Sequence, residues 1–457
     1  NGSVSCWGEN VMGQLGRGFN SDQTTLDIPS PTTSLGGTAV EITAGWEHTC
    51  VILDSGNVSC WGSSSYGQLG GGSEDASYDP VPTASLGTGR TAVAISAGWA
   101  HTCVVLDNGS MSCWGANNDG QLGDGSADDS SVPISTTLPS GRTAVAIAGG
   151  QTHNCAILDD GTVSCSGYGD SGVLGNGNSG MTSTTPTPTS SLGVGRTAVS
   201  IDSFGSHTCV ILDNGSVSCW GENNHGQIGD GGTSDRNTPT QTSSLGAGRT
   251  AVFADFDSVI REHTGQVDQA ACPPGTYNPE SGSISPSACI DAAPGHYVAD
   301  NGWTEYIDNG FGDTIAAGPG WAHGHTCAIL DDGSVACWGS NENGELAIEG
   351  TSLQPSPTQT DSLGAGRTAV SIDAGYSHTC AILDDGSVAC WGYNGNGHLG
   401  DGTTTVRSTP AQTASLGDGR TAVAISAGYS HTCAILDDGS VSCWGYNYYG
   451  QLGDGTN

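Results

Sequence analysis

The chain has 457 residues, including 74 Gly, 18 Pro and 17 Cys, and its 46 acidic side chains against 10 basic ones give a formal net charge of −36. All ten basic residues are Arg, so no basic face can be assembled to release phosphate counterions, and nucleic-acid binding is disfavoured. No run of about twenty apolar residues occurs, which excludes a membrane-spanning helix. The acidic surface suits solubility in a salty medium, where repulsion between carboxylates is screened within about 8 Å or less.

The chain opens at Asn1-Gly2-Ser3-Val4-Ser5-Cys6-Trp7-Gly8, with neither an initiator Met nor a signal peptide, and is expected to be a processed or excised piece of a longer protein. Residues 1–20 supply only the second half of a hairpin. Cys6 has no Cys ten positions upstream and is expected to be unpaired or to pair between molecules.

Complete hairpins follow, pairing Cys50 with Cys60, Cys103 with Cys113, Cys155 with Cys165 and Cys209 with Cys219, and further on Cys327 with Cys337, Cys380 with Cys390 and Cys433 with Cys443. The copy at 374–392 carries the physical argument. His378 to Leu383 and Ser387 to Trp391 are apolar runs rich in β-formers, joined by Asp384-Asp385-Gly386 with Gly where φ > 0 is needed. Centred on Asp385, Cys380 faces Cys390 on the adjacent strand. Facing residues lie about 4.5–5.5 Å apart, within reach of a disulfide. Fourteen Cys in seven such pairs point to an oxidising compartment, extracellular or at a cell surface.

The second Cys of each copy falls at 6, 60, 113, 165, 219, 337, 390 and 443. A period of about 53 residues built from short strands and Gly-rich turns marks a repeat architecture in which each unit is stable only against its neighbours. Several strands per unit predict an all-β fold, a seven-bladed β-propeller, because radial repetition leaves few exposed edges. The hairpin of Cys155 and Cys165 departs from the pattern, with Ser166 where the others have Trp. Losing a large buried aromatic costs about 3–5 kcal/mol unless neighbours fill the space, so this blade is expected to be the weakest.

The one long interval marks an insertion. Propeller repeats are expected over 1–252 and 314–457, with a separate segment over 253–313. Cys272 and Cys289 are expected to form one disulfide in a piece too small to hold itself together. Cys272-Pro273-Pro274-Gly275-Thr276-Tyr277 through Pro294-Gly295-His296-Tyr297 resembles the small cysteine-rich modules of cell-surface receptors.

At the far end, Asp438-Gly439-Ser440 repeats the phase of Asn1-Gly2-Ser3, so both ends claim one place in a closed ring. The local hairpin of Cys433 and Cys443 is expected to win. Residues 1–20 then either lie outside a ring or pair head-to-tail with another chain by strand addition, building a filament.

The Ala-Gly-x-x-His-Thr opening, Asp-Gly turn, Trp-Gly pair and Gly-Gln-Leu-Gly close of the unit resemble the regulator of chromosome condensation repeat. The resemblance covers nearly all of the chain outside 253–313 and implies a seven-bladed propeller. That family spans a nuclear nucleotide-exchange factor, domains in ubiquitin ligases and secreted bacterial β-lactamase inhibitors. The Cys pairs and the acidic charge make this chain more similar to the secreted members, in which the propeller is a rigid protein-binding face.

Each His-x-Cys, such as His431 and Cys433 with Cys443 opposite, could converge three metal ligands. The alternative is a disulfide with a histidine hydrogen-bonded to a neighbouring loop, and this is the reading adopted, so no metal or cofactor is expected. The Asp-Asp-Gly and Gly-Asp-Gly loops lack the alternating ligands of a calcium loop and read as turns. Arg90, Arg142, Arg196, Arg249, Arg367 and Arg420 recur at one phase and are expected to pair with an adjacent blade.

The residues just before each His vary. Trp46, Trp99, Trp321, Tyr376 and Tyr429 would occupy equivalent loops and form an aromatic ring on one face, of the kind protein interfaces use. A second variable set follows Trp-Gly, as in Tyr446-Asn447-Tyr448-Tyr449 and Glu222-Asn223-Asn224-His225. No nucleophile elbow, phosphate loop or zinc-protease helix appears. A non-enzymatic protein-binding or structural module is expected, with a carbohydrate-binding adhesin as the second reading and a secreted hydrolase as a distant third.

Overall fold

The computed structural model describes residues 34–246, 249–251, 324–350, 352–414, 416, 419–428, 431–437 and 441–446, together with strand segments at 5–9, 25–31 and 315–317 and four short strands between 276 and 305. The chain divides into one unit formed by Asn1–Phe253 with Asp313–Asn457 and a second formed by Ala254–Gly312. In the second unit Thr276–Tyr277 pairs with Ile290–Asp291 and Tyr297–Val298 with Thr304–Glu305. Cys272 and Cys289, and the disulfide expected between them, lie outside the described residues.

The first unit is a seven-bladed propeller. Blade 2 shows the plan: Ala92–Ala97, His101–Leu106, Met111–Gly115 and Ser130–Ser135 form a four-stranded antiparallel sheet in chain order. The same sheet recurs in blade 1 (from Ala39–Ala44), blade 3 (from Ala144–Gly149), blade 4 (from Ala198–Phe204), blade 5 (from Ile315–Ala317) and blade 6 (from Ala369–Ala374). Blade 7 comprises Ala422–Ala427, His431–Leu436 and Val441–Gly445 among the described residues. At the seam the local hairpin forms, with Cys433 facing Cys443, while Ser5–Glu9 pairs with Thr25–Pro31 in a separate two-stranded sheet.

The hairpin register is the one the sequence predicts, with Cys380 facing Cys390 across the second and third strands of blade 6. In blades 1 to 4 Cys50 is bonded to Cys60, Cys103 to Cys113, Cys155 to Cys165 and Cys209 to Cys219. In blades 5 to 7 Cys327 is bonded to Cys337, Cys380 to Cys390 and Cys433 to Cys443, and every one of these pairs has a Cα separation of 4.1 Å. Among the described residues the disulfides are therefore one per blade.

First strands of successive blades pack side by side. Side chains of one cap amides of the next, as where Ala97 N–H donates to Thr43 Oγ1 at 3.1 Å and Gly149 N–H to Ser96 Oγ at 2.9 Å. The core lies between the blades. At the first joint Cys50, Ile52, Val58, Cys60 and Leu69 of blade 1 pack on Ile95, Val104, Leu106 and Trp114 of blade 2. The next joints repeat the set, Cys155 and Cys165 lying against Trp220, Cys209 and Cys219 against Trp338, and Cys327 and Cys337 against Trp391. Blade 3 has no such Trp, and there Cys103 and Cys113 pack with Leu122 on Ala144 and Ala156. Blades 1, 3, 4, 5 and 6 thus bury their disulfides against the Trp of the next blade, which is why one unit alone has no core.

The Arg residues correct the sequence reading. Arg90 pairs with Asp107 at 3.4 Å, Arg142 with Asp160 at 2.7 Å and Arg196 with Asp213 at 3.2 Å, in each case beside its own blade's turn. Arg367 and Arg420 do the same with Asp385 and Asp437. These pairs are about a third exposed and contribute little to stability.

Candidate functional site

The loop between first and second strands, Ala-Gly-x-x-His, is built around its histidine. A Cβ on Gly45 would lie 2.2 Å from His48 Cε1 and 2.5 Å from the Gly98 carbonyl, so only glycine lets the imidazole tuck beneath the loop. His48 Nε2 lies 2.9 Å from Thr102 Oγ1 of the next blade. Thr102 Oγ1 donates in turn to the Gln68 carbonyl of the first blade at 3.1 Å, and Trp114 Nε1 donates to the same oxygen at 2.8 Å. Since the hydroxyl proton is committed to Gln68, the imidazole must be the donor to Thr102, and its Nδ1 is left without a partner.

The relay recurs at His325 with Thr379 and His378 with Thr432, both at 2.9 Å. Burial lowers the imidazole pKa to about 3 at His48 and His153 and to about 4 at His101 and His207, and well below its ordinary value at His378, so these five rings are neutral. With sulfurs bonded to each other and Nε2 engaged, the histidine and cysteines of a blade present no converging lone pairs to a metal. Among the described residues no cluster of three or more His, Cys, Asp or Glu is arranged to hold one.

Blade 3 shows how its missing Trp is accommodated. His101 Nε2 lies 3.1 Å from Asn154 Oδ1, and Asn154 Nδ2 donates to the Gln121 carbonyl at 2.8 Å, so the amide of Asn154 does what Thr does elsewhere. Ser166 Oγ, buried, donates to the same carbonyl at 3.3 Å. The space beside Gly123 is taken by Pro186 and Thr136, each 2.9 Å from where a Cβ would stand.

On this frame sit the variable residues. Trp46 N–H donates to the Trp99 carbonyl at 3.2 Å, Trp99 N–H to Gln151 at 3.3 Å and Gln151 N–H to Gly205 at 2.9 Å, chaining the loops of blades 1 to 4. Trp46 is 70% exposed and Trp99 43%, and their rings meet edge-on with centroids 5.7 Å apart. Tyr376 stands half-buried on the equivalent loop of blade 6. Trp321 and Tyr429 lie outside the described residues, as do the side chain of Cys6 and the loop at 447–449.

Three residues absent from that predicted ring join the same end. The third strand ends beside the start of the second, with His48 opposite Gly62, so the loop after Trp-Gly emerges where the Trp loops do. Tyr66, Tyr168 and Tyr393 are exposed there. The variability after Trp-Gly is the sequence signal for them. The loop of Tyr393 is anchored by Asn394, which is buried, accepts from Leu399 N–H at 3.0 Å and donates from Nδ2 to the Thr405 carbonyl at 3.1 Å, as Asn117 and Asn223 do in blades 2 and 4; in the loop of Tyr66 the buried Ser64 donates to the Ser73 carbonyl at 2.9 Å.

Two repeat profiles described as the regulator of chromosome condensation (RCC1) repeat match the chain, one at 1–52, 55–105, 108–157 and 385–435, the other at 39–68, 92–121, 202–227, 322–345, 369–397 and 422–451. The chain is 29% identical over 367 residues to the ultraviolet-B receptor UVR8 of Arabidopsis thaliana, covering 80% of this chain and 79% of the receptor. It is 30% identical over 353 residues to the human E3 ubiquitin-protein ligase HERC2, covering 76% of this chain and 7% of the ligase. Among solved structures, human WBSCR16 superposes with a TM-score of 0.63 at 18% identity, covering 95% of this chain and 98% of that one. Yeast RCC1 (Prp20) bound to Kap60 does so with 0.63 at 18%, covering 93% and 87%. Together with the seven repeated blades, these matches show that the chain belongs to the regulator of chromosome condensation (RCC1) repeat family.

Proposed function

We propose that this propeller is a non-enzymatic binding module, secreted or displayed at a cell surface, that captures a protein partner on its aromatic end. The observation that carries the reading is an asymmetry: among the described residues every strongly exposed aromatic, Trp46, Tyr66, Trp99, Tyr168 and Tyr393, stands on loops of one end. Aromatics on anchored loops offer contact area at small entropic cost, the composition of interface hot spots. Charge adds a preference, because a chain of net charge −36 steers partners that present basic groups. Seven oxidised hairpins support the extracellular assignment.

Relatives are consistent with binding as the use of the fold: yeast RCC1 was solved bound to Kap60, and the yeast protein Prp20p has binding properties to Gsp1p and histones. A glycan is the second reading, favoured by the open indole of Trp46. A photo-crosslinking amino acid placed at position 46, with position 54 at the opposite end as control, tests the proposal. Protein adducts at 46 alone support it; adducts at 54 alone, or binding to immobilised glycans with no protein adduct, overturn it.

A further inference from the structure

The end opposite the aromatics carries a feature that neither packing nor partner binding uses. There the turns between second and third strands meet the next blade, as where Ala144 N–H donates to the Gly109 carbonyl at 2.7 Å and Ala251 N–H to the Gly215 carbonyl at 2.7 Å. In blades 3, 5 and 6 the turn residue before this glycine is Asp: Asp160, Asp332 and Asp385. In blades 2 and 4 it is Asn, giving Asn108-Gly109-Ser110 and Asn214-Gly215-Ser216, each an Asn-x-Ser acceptor sequence for N-linked glycosylation.

Turn geometry does not account for the change. Asp160 Oδ1 accepts from Thr162 N–H at 3.1 Å and Thr162 Oγ1 at 2.6 Å, and Asn108 Oδ1 accepts from Ser110 N–H at 3.1 Å and Ser110 Oγ at 2.7 Å, so the two side chains build the same turn. Asn214 repeats it with Ser216 at 3.1 and 2.8 Å. Electrostatics runs against it. Arg142 gains a pair with Asp160 at 2.7 Å and Arg367 one with Asp385, whereas Arg90 and Arg196, beside the Asn turns, pair with Asp107 and Asp213 alone among the described residues. What Asn supplies and Asp cannot is the Nδ2 amide. Both asparagines are exposed, and with Oδ1 occupied by the Ser, their Nδ2 makes no hydrogen bond among the described residues and faces solvent.

We infer that Asn108 and Asn214 are N-glycan attachment sites, which clothe the turn end of the propeller and leave the aromatic end bare. The inference rests on the proposal that the chain passes through an oxidising secretory compartment. The donor is an oligosaccharide linked through diphosphate to a polyisoprenyl lipid. Asn Nδ2 forms a bond to the anomeric carbon and gives up one proton, while the bond from that carbon to the diphosphate oxygen breaks and the lipid diphosphate leaves with the electron pair. The second strand spans six residues, about 20 Å, so the glycans stand that far from the aromatic loops. Of the other two Asn-x-Ser sequences, Asn1-Gly2-Ser3 lies outside the described residues, and Asn57-Val58-Ser59 runs into the third strand with Ser59 buried.

The test is the whole chain secreted from a eukaryotic cell, with intact mass and peptide mapping before and after peptide N-glycosidase in heavy-oxygen water. Glycan on both asparagines, each lost in N108Q or N214Q and in Ser110→Ala or Ser216→Ala, is expected. Both Asn-Gly pairs bare, or deamidated without enzyme, in a chain whose hairpin disulfides are intact would overturn the sites. Free hairpin thiols in the same material would overturn the compartment reading instead.

Discussion

His48 and Thr102 stand 54 residues apart in sequence and 2.9 Å apart in space, one blade donating from Nε2 to the hydroxyl of the next. Because Thr102 hands its own proton back to the first blade, at the Gln68 carbonyl, the joint is closed in both directions. The aromatic loop is hung on that joint, so the placement of the exposed aromatics and the stability of the ring depend on the same buried imidazoles.

Acid should therefore weaken the ring. The unfolded chain protonates these imidazoles near 6.5, whereas folded His48 and His153 resist to about 3 and His101 and His207 to about 4. Over that window the unfolded state binds more protons, so stability falls as pH drops from 6.5 toward 4, by up to about 1.4 kcal/mol per pH unit for each histidine. Burial raises the carboxyls of Glu41 and Asp373, and these work in the opposite sense at the acid end. Melting temperature measured from pH 7 to 4.5 checks this; a flat profile would show that the rings are not held neutral.

Blade 3 gives a counter-intuitive test. Restoring the repeat's own residue, Ser166→Trp, should destabilise by about 1–3 kcal/mol, because Pro186 and Thr136 already occupy the space. Trp391→Ala in blade 6 should cost about 3–5 kcal/mol, since that ring is fully buried and donates to the Glu345 carbonyl at 2.7 Å. Urea midpoints read both; a stabilised S166W would mean that the cavity was real.

Much of this is legible in the sequence, and the limit has a physical form. Cys380 opposite Cys390 follows from strand period and turn length alone, local quantities. In a strict repeat, however, a contact within one blade and a contact to the next are equally periodic. Arg90 reads equally well as reaching the next blade, yet it pairs with Asp107 because Thr91 enters its own sheet beside the turn, where Asp107 N–H donates to the Thr91 carbonyl at 2.9 Å. Only a departure from the repeat breaks the degeneracy. Ser166 alone reads as a loss, but Asn154 changes with it, and both reach the Gln121 carbonyl of the preceding blade. The exposed Tyr66, Tyr168 and Tyr393 escape the pattern for a different reason: Tyr168 and Tyr393 directly follow the Gly that closes the third strand, where other blades carry Ser63, Ala116, Glu222 and Ser340, and Tyr66 falls three positions further on, so the aromatic recurs too irregularly to mark a ring.

Trp46→Ala with Trp99→Ala should leave stability within about 1 kcal/mol, because exposed side chains contribute little to the folded state, while abolishing partner capture. Thermal melts and a capture assay on the same preparation separate the two. A large drop in melting temperature would place these rings in the core and remove the candidate site.

The hairpin disulfides can be examined blade by blade. Each closes a loop of about eleven residues, for which chain entropy credits about 2.5–3 kcal/mol. Their surroundings differ, however: Cys380 and Cys390 are buried against blade 7, whereas Cys433 is only partly buried. A Cys380→Ala/Cys390→Ala variant removes the cross-link and also two sulfurs packed at a joint, so it should cost the entropic amount plus a cavity term of about 1 kcal/mol or more. Cys433→Ala/Cys443→Ala should cost closer to the entropic amount alone, since less packing is lost around Cys433. Denaturant midpoints of the two double variants measure the difference. Equal losses would show that the disulfides act only on the unfolded chain, and that the joints do not depend on the sulfurs they bury.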